Sequence, residues 1–247
     1  MEGLKEALAF IANLATDAEG PQTIEIYGKE YSKERLFRVD EVDMAAPIKA
    51  TTLTSLVDYI KECTEELHKK MILQVESPTK VSLYSTLGDE RKRETLFEAR
   101  ALFPEFSYGE EYGQEPFLVA LQSCFAPSAD RESVALLASN IVNKQEATYS
   151  DDGITQQAVM KTGITSKDNV IVPNPVTLTP YRTFSEVEQP ASSFVFRIRE
   201  ERGLPFFKLV NADGGRWKAE AMQNVKEYLV KALADIPDRE KQITIIA

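Results

Sequence analysis

The stretch that decides the fold is residues 194–199, FVFRIR, followed after one turn by residues 204–210, LPFFKLV. Apolar and basic residues alternate in the first run, so its aromatic side chains share one face while Arg197 and Arg199 share the other. A period of two residues is typical of a β-strand with one buried and one solvated face. The sequence therefore predicts a sheet here, and its solvated face is a candidate for function.

The residues before this stretch are also rich in strand formers. Three further runs are predicted as strands: residues 148–149, 154–161 and 170–178. With the two runs above they predict one antiparallel meander. Asp213-Gly214-Gly215 would close this sheet, and a last amphipathic helix, from Arg216 to about Asp235, is expected to lie across it.

The N-terminal part of the chain mixes helical and strand patterns. Apolar residues recur at spacings of three and four in four predicted amphipathic helices: residues 4–15, 52–69, 116–125 and 128–141. Thr51 or Thr52 can cap the second of these, and Ser128 or Asp130 the fourth. Short runs of β formers predict strands at residues 23–27, 35–39, 71–76, 81–87 and 94–102. Residues 106–113 contain two glycines and two tyrosines and suit an ordered loop.

These patterns together predict an α+β protein. Antiparallel sheets are packed by several amphipathic helices in a single domain of residues 1–247. Within it we expect an N-terminal helix at residues 1–20, a core at 21–235 and an apolar C-terminal tail at 236–247.

The tail ends in the β-prone strip Ile243-Thr244-Ile245-Ile246. Leaving three isoleucines in water is unfavourable, at about 25 cal/mol for each Å² of apolar surface. Two arrangements would cover them. The strip returns as an edge strand of its own sheet, or it adds to a neighbouring subunit and forms an oligomer contact through Ile243, Ile245 and Ile246.

Charge disfavours nucleic acid as a partner. The formal net charge is -10, whereas nonspecific binding to phosphate backbones depends on Lys and Arg. The exceptions to test are two local basic clusters, Arg91-Lys92-Arg93 and the trio Arg197, Arg199 and Arg202.

The sequence also indicates a reducing compartment. No apolar run approaches the roughly 18 residues that span a bilayer, and the N-terminus lacks the basic region of a signal peptide. We therefore expect no membrane association. Cys63 and Cys124 are the only cysteines and are expected to be reduced thiols rather than a disulfide.

No catalytic or cofactor-binding motif is evident. The one histidine, His68, has no second ligand one helical turn away, so neither a metal site nor a His-based triad is expected. Asp213-Gly214-Gly215 before a helix resembles a phosphate-binding turn only weakly and is interpreted as a strand-to-helix turn. The pairs Glu110-Glu111 and Asp151-Asp152 are interpreted as solvated carboxylates. We expect no catalytic residue, no metal and no cofactor.

The order of several short segments resembles a known family. These segments are TLTSLVDYI at 52–60, PFL at 116–118, Leu136-Leu137, VPNPVTLTPY at 172–181 and FRIR at 196–199. In this order the chain resembles the YfdQ-like family of phage and prophage proteins over roughly residues 45 to 235. The resemblance implies a tailed-phage origin and residence in the cytoplasm of the infected bacterium, and it carries no catalytic residues.

The resulting hypothesis is a non-catalytic, homo-oligomeric phage accessory protein. It would bind or sequester a host protein or a small ligand, for instance to inhibit a host defence system. The alternative is an accessory protein of phage DNA recombination or replication that binds nucleic acid through Arg197, Arg199 and Arg202. An enzyme using carboxylates and Mg²⁺ is the least favoured hypothesis.

Overall fold

The computed structural model describes most of the chain, namely residues 2–18, 23–26, 29–32, 44–62, 70–88, 91–141, 148–151, 155–162, 166–238 and 242–247. The chain forms two compact units, Met1–Met44 and Ala45–Ala247. The fold class is α+β, as predicted.

The described residues of the first unit form a helix and a hairpin. Helix α1 spans Glu2–Ala18 and confirms the predicted N-terminal helix. Strand β1 (Thr23–Ile26) pairs antiparallel with β2 (Lys29–Ser32). The strand predicted at residues 35–39 lies outside the described residues.

The second unit contains a mixed five-stranded sheet. Its strands are β3 (Ile48–Ala50), β4 (Met71–Ser77), β5 (Lys80–Ser85), β6 (Thr95–Arg100) and β14 (Ile243–Ile246). Their order is β14-β4-β5-β6-β3. The three central strands are antiparallel, whereas the two edge strands run parallel to their neighbours. The predicted hairpin of residues 71–76 and 81–87 is confirmed.

Two helices cover one face of this sheet. Helix α2 spans Leu53–Glu62 and α5 spans Arg216–Ala232. Their buried residues meet alternate residues of the strands in a first hydrophobic core, which includes Leu56, Leu73, Leu83, Phe97, Val225 and Leu229. The prediction that the last helix lies across the sheet preceding it was wrong. Gly214 and Gly215 both have positive φ and turn the chain at this point, and the apolar face of α5 enters the first core.

An antiparallel four-stranded sheet forms the second layer. Its strands are β7 (Tyr112–Gly113), β11 (Val176–Leu178), β12 (Ser192–Glu201) and β13 (Leu204–Asn211), in the order β11-β12-β13-β7. Buried residues of this sheet and of helices α3 (Gln114–Cys124) and α4 (Ala129–Ile141) together form a second hydrophobic core. The alternation at 194–199 is confirmed, because Phe194 and Phe196 are fully buried there.

The remaining strands form a separate sheet. Strands β8 (Thr148–Asp151), β9 (Thr155–Thr162) and β10 (Ser166–Pro173) pair antiparallel in the order β10-β9-β8. The predicted single meander is therefore divided into two sheets. The division falls at Asn174-Pro175, where proline lacks the N–H that a ladder needs. Among the described residues no helix is both long and apolar enough to cross a membrane.

Candidate functional site

An irregular segment, residues 179–191, joins β11 to β12 and is called the connector below. The backbone N–H groups of Arg182 and Thr183 donate to Gln189 Oε1 at 3.0 and 3.2 Å. Gln189 Nε2 donates in turn to the Phe184 carbonyl at 2.9 Å. Phe184 is 1% exposed and belongs to the first core. The connector is therefore held in one conformation by its own hydrogen bonds and by one buried ring.

Arg182 is the most unusual residue of the connector, because only 5% of it is exposed. Its guanidinium carbon lies 3.9 Å from the centre of the Trp217 ring. Nη2 donates to the Ser192 hydroxyl and, at 3.5 Å, to the Pro190 carbonyl, and it lies 4.0 Å from Asp213 Oδ2. Nε–H has no acceptor in the described part of the chain. A buried charge is costly unless it is paired and hydrogen-bonded, and this one is compensated only in part.

Asp213 links the strand β13 to the start of α5. Its Oδ2 accepts a hydrogen bond from the Ser192 hydroxyl at 2.6 Å, and its Oδ1 accepts one from the Gly215 N–H at 3.0 Å. Burial raises the pKa of this carboxyl, but these hydrogen bonds and the Arg182 charge outweigh it and lower the pKa below its ordinary value. The carboxylate thus holds the first turn of α5, where the helix dipole favours negative charge. This is the strand-to-helix turn expected from Asp213-Gly214-Gly215.

Two cavities lie beside this group of residues. One, called the aromatic cavity, has a volume of about 230 Å³ and is lined by Phe103, Pro104, Glu105, Phe106, Ser107, Tyr108, Cys124, Tyr181 and Arg182. The other, called the helix-side cavity, has a volume of about 280 Å³ and is lined by Thr177, Ala191, Ser192, Ser193, Asp213, Arg216, Trp217 and Glu220. Arg182 lines the first, and its partners Ser192, Asp213 and Trp217 line the second.

The walls of the aromatic cavity are fixed by ring packing. Phe106 stacks on Tyr112 with ring centres 4.9 Å apart, and Tyr108 stacks on Phe194 at 5.4 Å. Burial raises the pKa of the Tyr108 hydroxyl to about 12, against the opposing effect of the Arg182 charge. Tyr108 is therefore protonated at neutral pH and available as a hydrogen-bond donor.

The basic residues predicted from sequence lie elsewhere, on β12 and its turn. Arg199 forms ion pairs with Glu111 at 2.8 Å and with Glu201 at 2.7 Å. Arg197 is paired in register with Lys208 of β13. Arg202 occupies the β12–β13 turn with φ 55°. The strand thus places Arg197 and Arg199 on one face, and carboxylates offset the charge of Arg199.

The tail residues form strand β14 beside β4. Ile243 is 3% exposed and belongs to the first core, and Ile245 packs against that core. Ile246 is 41% exposed. Of the two arrangements expected for the tail, the structure has the edge strand of its own sheet.

Several other sequence candidates cannot be placed in a site. Cys63 and His68 lie outside the described residues, as does Asp152. Glu111 is paired with Arg199. Within the described ranges, no three His, Cys, Asp or Glu residues are placed to hold a metal ion.

Sequence reasoning missed Arg182. A single basic residue in an irregular segment has no periodicity, and its partners Ser192, Asp213 and Trp217 follow it in other elements of the fold. One feature of the sequence could have pointed to this region. Trp217 is the only tryptophan, and it lies in the first turn of the predicted helix that follows Gly214-Gly215.

Comparison with known proteins adds no relative, because no family model, no curated protein and no solved structure matches the chain. The resemblance to the YfdQ-like family stays a prediction.

Proposed function

We propose that this protein acts by binding a small anionic ligand at Arg182, without catalysing a reaction. The observation that supports this most directly is a buried guanidinium, compensated only in part, that lies beside two cavities. Arginine presents donors in a planar fork that matches carboxylate and phosphate oxygens. A ligand oxyanion would supply the compensation that Arg182 lacks.

Catalysis is the weaker interpretation because the one hydroxyl–carboxylate pair in the site is poorly suited to it. Ser192 donates to Asp213 at 2.6 Å, which superficially resembles an activated nucleophile. The pKa of Asp213 is lowered, however, and a general base works best when its pKa lies near the working pH. The Ser192 hydroxyl is also held between Arg182 and Asp213, which suits a structural link.

The biological setting in this proposal comes from the resemblance to phage and prophage proteins. The chain would be a phage-encoded, homo-oligomeric accessory protein in the cytoplasm of the infected bacterium. Sequestering a small anionic host molecule, for example one used in defence, requires a binding site and no catalytic group. A buried cation next to a cavity is consistent with that task.

Nucleic-acid binding through Arg197, Arg199 and Arg202 is the weaker alternative. Two carboxylates within 2.8 Å of Arg199 offset its charge, and the net charge of -10 opposes approach to a phosphate backbone.

The test is thermal unfolding of the full chain with benzoate or phenyl phosphate as the probe. A ligand at 100 times its Kd stabilises a protein by about 2.7 kcal/mol, which raises the Tm of a chain this size by roughly 5–10 °C. We expect at least one probe to stabilise the wild type, to stabilise R182K less and to leave R182M unchanged. R100M, at an exposed arginine of β6, is the matched control and should respond like the wild type. The proposal fails if neither probe raises the Tm or if R182M responds fully.

A further inference from the structure

We infer that the ligand of the Arg182 site is a compact planar ring that carries one oxyanion, and that it occupies the aromatic cavity. The ring would lie between aromatic walls and the oxyanion would meet Arg182. This inference rests on the proposed function and adds to it the location and chemical class of the ligand.

The walls of the aromatic cavity favour a flat, unsaturated group. Phe103, Phe106, Tyr108 and Tyr181 all line it. Aromatic rings gain about 0.5–1.5 kcal/mol from offset or edge contacts with another ring beyond the burial of area. Phe106 and Tyr108 are already stacked on Tyr112 and Phe194, so binding would cost little side-chain entropy.

The placement of charge in the cavity favours an anion on that ring. Among the described residues that line it, Arg182 is the only cation and is buried, whereas the one carboxylate, Glu105, is exposed to solvent. The protonated Tyr108 hydroxyl adds a neutral donor beside it, because its pKa is raised to about 12. A single oxyanion could therefore accept from both groups.

The helix-side cavity is a poorer site for an anion. Asp213 and Glu220 both line it, against one exposed cation, Arg216. The Gly215 N–H at the start of α5, which would otherwise attract an anion, already donates to Asp213 at 3.0 Å. A bound anion would have to displace or approach a carboxylate there.

Size restricts the ligand further. Pockets for drug-sized molecules hold roughly 300–1,000 Å³, whereas the aromatic cavity holds about 230 Å³. One ring with one anionic group fits this volume. Tyr181, which is 37% exposed, lies where such a ligand would meet solvent.

The test uses the fluorescence of Trp217, the only tryptophan, whose ring centre lies 3.9 Å from the Arg182 guanidinium. The full chain is titrated with benzoate, phenyl phosphate, cyclohexanecarboxylate and inorganic phosphate. We expect the two aromatic anions to bind at least tenfold more tightly than the saturated ring or phosphate alone. The better of the two identifies the natural oxyanion as carboxylate or phosphate.

Variants then locate the ligand. Y181A and F103A remove aromatic wall and should weaken binding of the better probe at least tenfold. T177A and S193A change the helix-side cavity without changing its charge and should leave the Kd of the better probe within twofold of the wild type.

Equal affinity for benzoate and cyclohexanecarboxylate, or sensitivity only to T177A and S193A, would overturn the inference. In either case binding that still requires Arg182 would leave the proposed function standing. If no probe shows binding that depends on Arg182, both the inference and the proposed function are wrong.

Discussion

A guanidinium in the interior needs more than one partner, and Arg182 obtains its partners from distant parts of the chain. Trp217 covers one face of the group at 3.9 Å, and the Ser192 hydroxyl connects it to Asp213. Cation–π contact with a tryptophan contributes on the order of 2 kcal/mol when the pair is desolvated. That contact helps to keep the cation buried while leaving hydrogen-bonding capacity for a ligand.

Tyr108 should make stability depend on pH in the alkaline range. Its pKa is raised in the folded protein to about 12, above the value of about 10 in an unfolded chain. The associated stability is thus fully present below pH 10 and is lost as the pH rises through 12. We expect the free energy of unfolding of the wild type to fall by up to roughly 3 kcal/mol more than that of Y108F over this range.

Urea unfolding at pH 9, 10, 11 and 12 measures this difference. Y181F, at an exposed tyrosine of the same cavity, is the control and should follow the wild type. If Y108F loses stability as steeply as the wild type, the hydroxyl is not the group responsible.

Among the secondary-structure elements, α2 illustrates what local sequence can and cannot predict. Its apolar stripe and its Thr52 cap were both predictable, and Thr52 Oγ1 does accept from the Ser55 N–H at 3.2 Å. The second cap was not. Glu186 of the connector accepts from the Leu53 N–H at 2.7 Å and from the Thr54 N–H at 3.2 Å, and no local pattern links residues that far apart in the chain.

Glu186 should therefore contribute to stability from outside the helix that it caps. E186A removes the acceptor for two N–H groups in the first turn of α2, which costs about 1 kcal/mol by analogy with ordinary N-caps. Urea unfolding at neutral pH measures the loss. E188A, at an exposed glutamate two residues further along, should stay within about 0.5 kcal/mol of the wild type. Equal stability of E186A and E188A would show that the cap is energetically neutral.

The strands likewise separate into features that local sequence predicts and features that depend on distant contacts. The alternation in FVFRIR was sufficient to predict β12 and its buried face. The parallel pairing of β14 with β4 was not predictable, because strand order depends on contacts between residues about 170 positions apart. The candidate site also depends on distant contacts, since Arg182, Ser192 and Asp213 are brought together from different elements of the fold.

In the unit of residues 45–247 as a whole, the connector joins two hydrophobic cores. Phe184 is buried in the first core, whereas Tyr108, which lines the aromatic cavity with Arg182, packs against the second. Only one residue separates Arg182 from Phe184. The site is thus held from both sides, which suits a binding pocket that must keep its shape when empty.

Oligomer formation through the tail can be tested without unfolding the protein. Among the described strands, β14 lies at the edge of its sheet, and an unpaired strand edge can add a strand from another chain. Deleting the tail would not be a clean test, because Ile243 is 3% exposed in the first core. I246K changes an outward residue that is 41% exposed, and a charged edge side chain opposes strand addition.

We expect the wild type to be an oligomer by light scattering, and I246K to have a lower mass with an unfolding free energy within about 0.5 kcal/mol of the wild type. I243A is the matched variant on the buried side and should lose about 2–5 kcal/mol of stability. An oligomeric mass unchanged in I246K would exclude the open edge of β14 as the contact. A monomeric wild type would leave sequestration at Arg182 as the activity of a single chain.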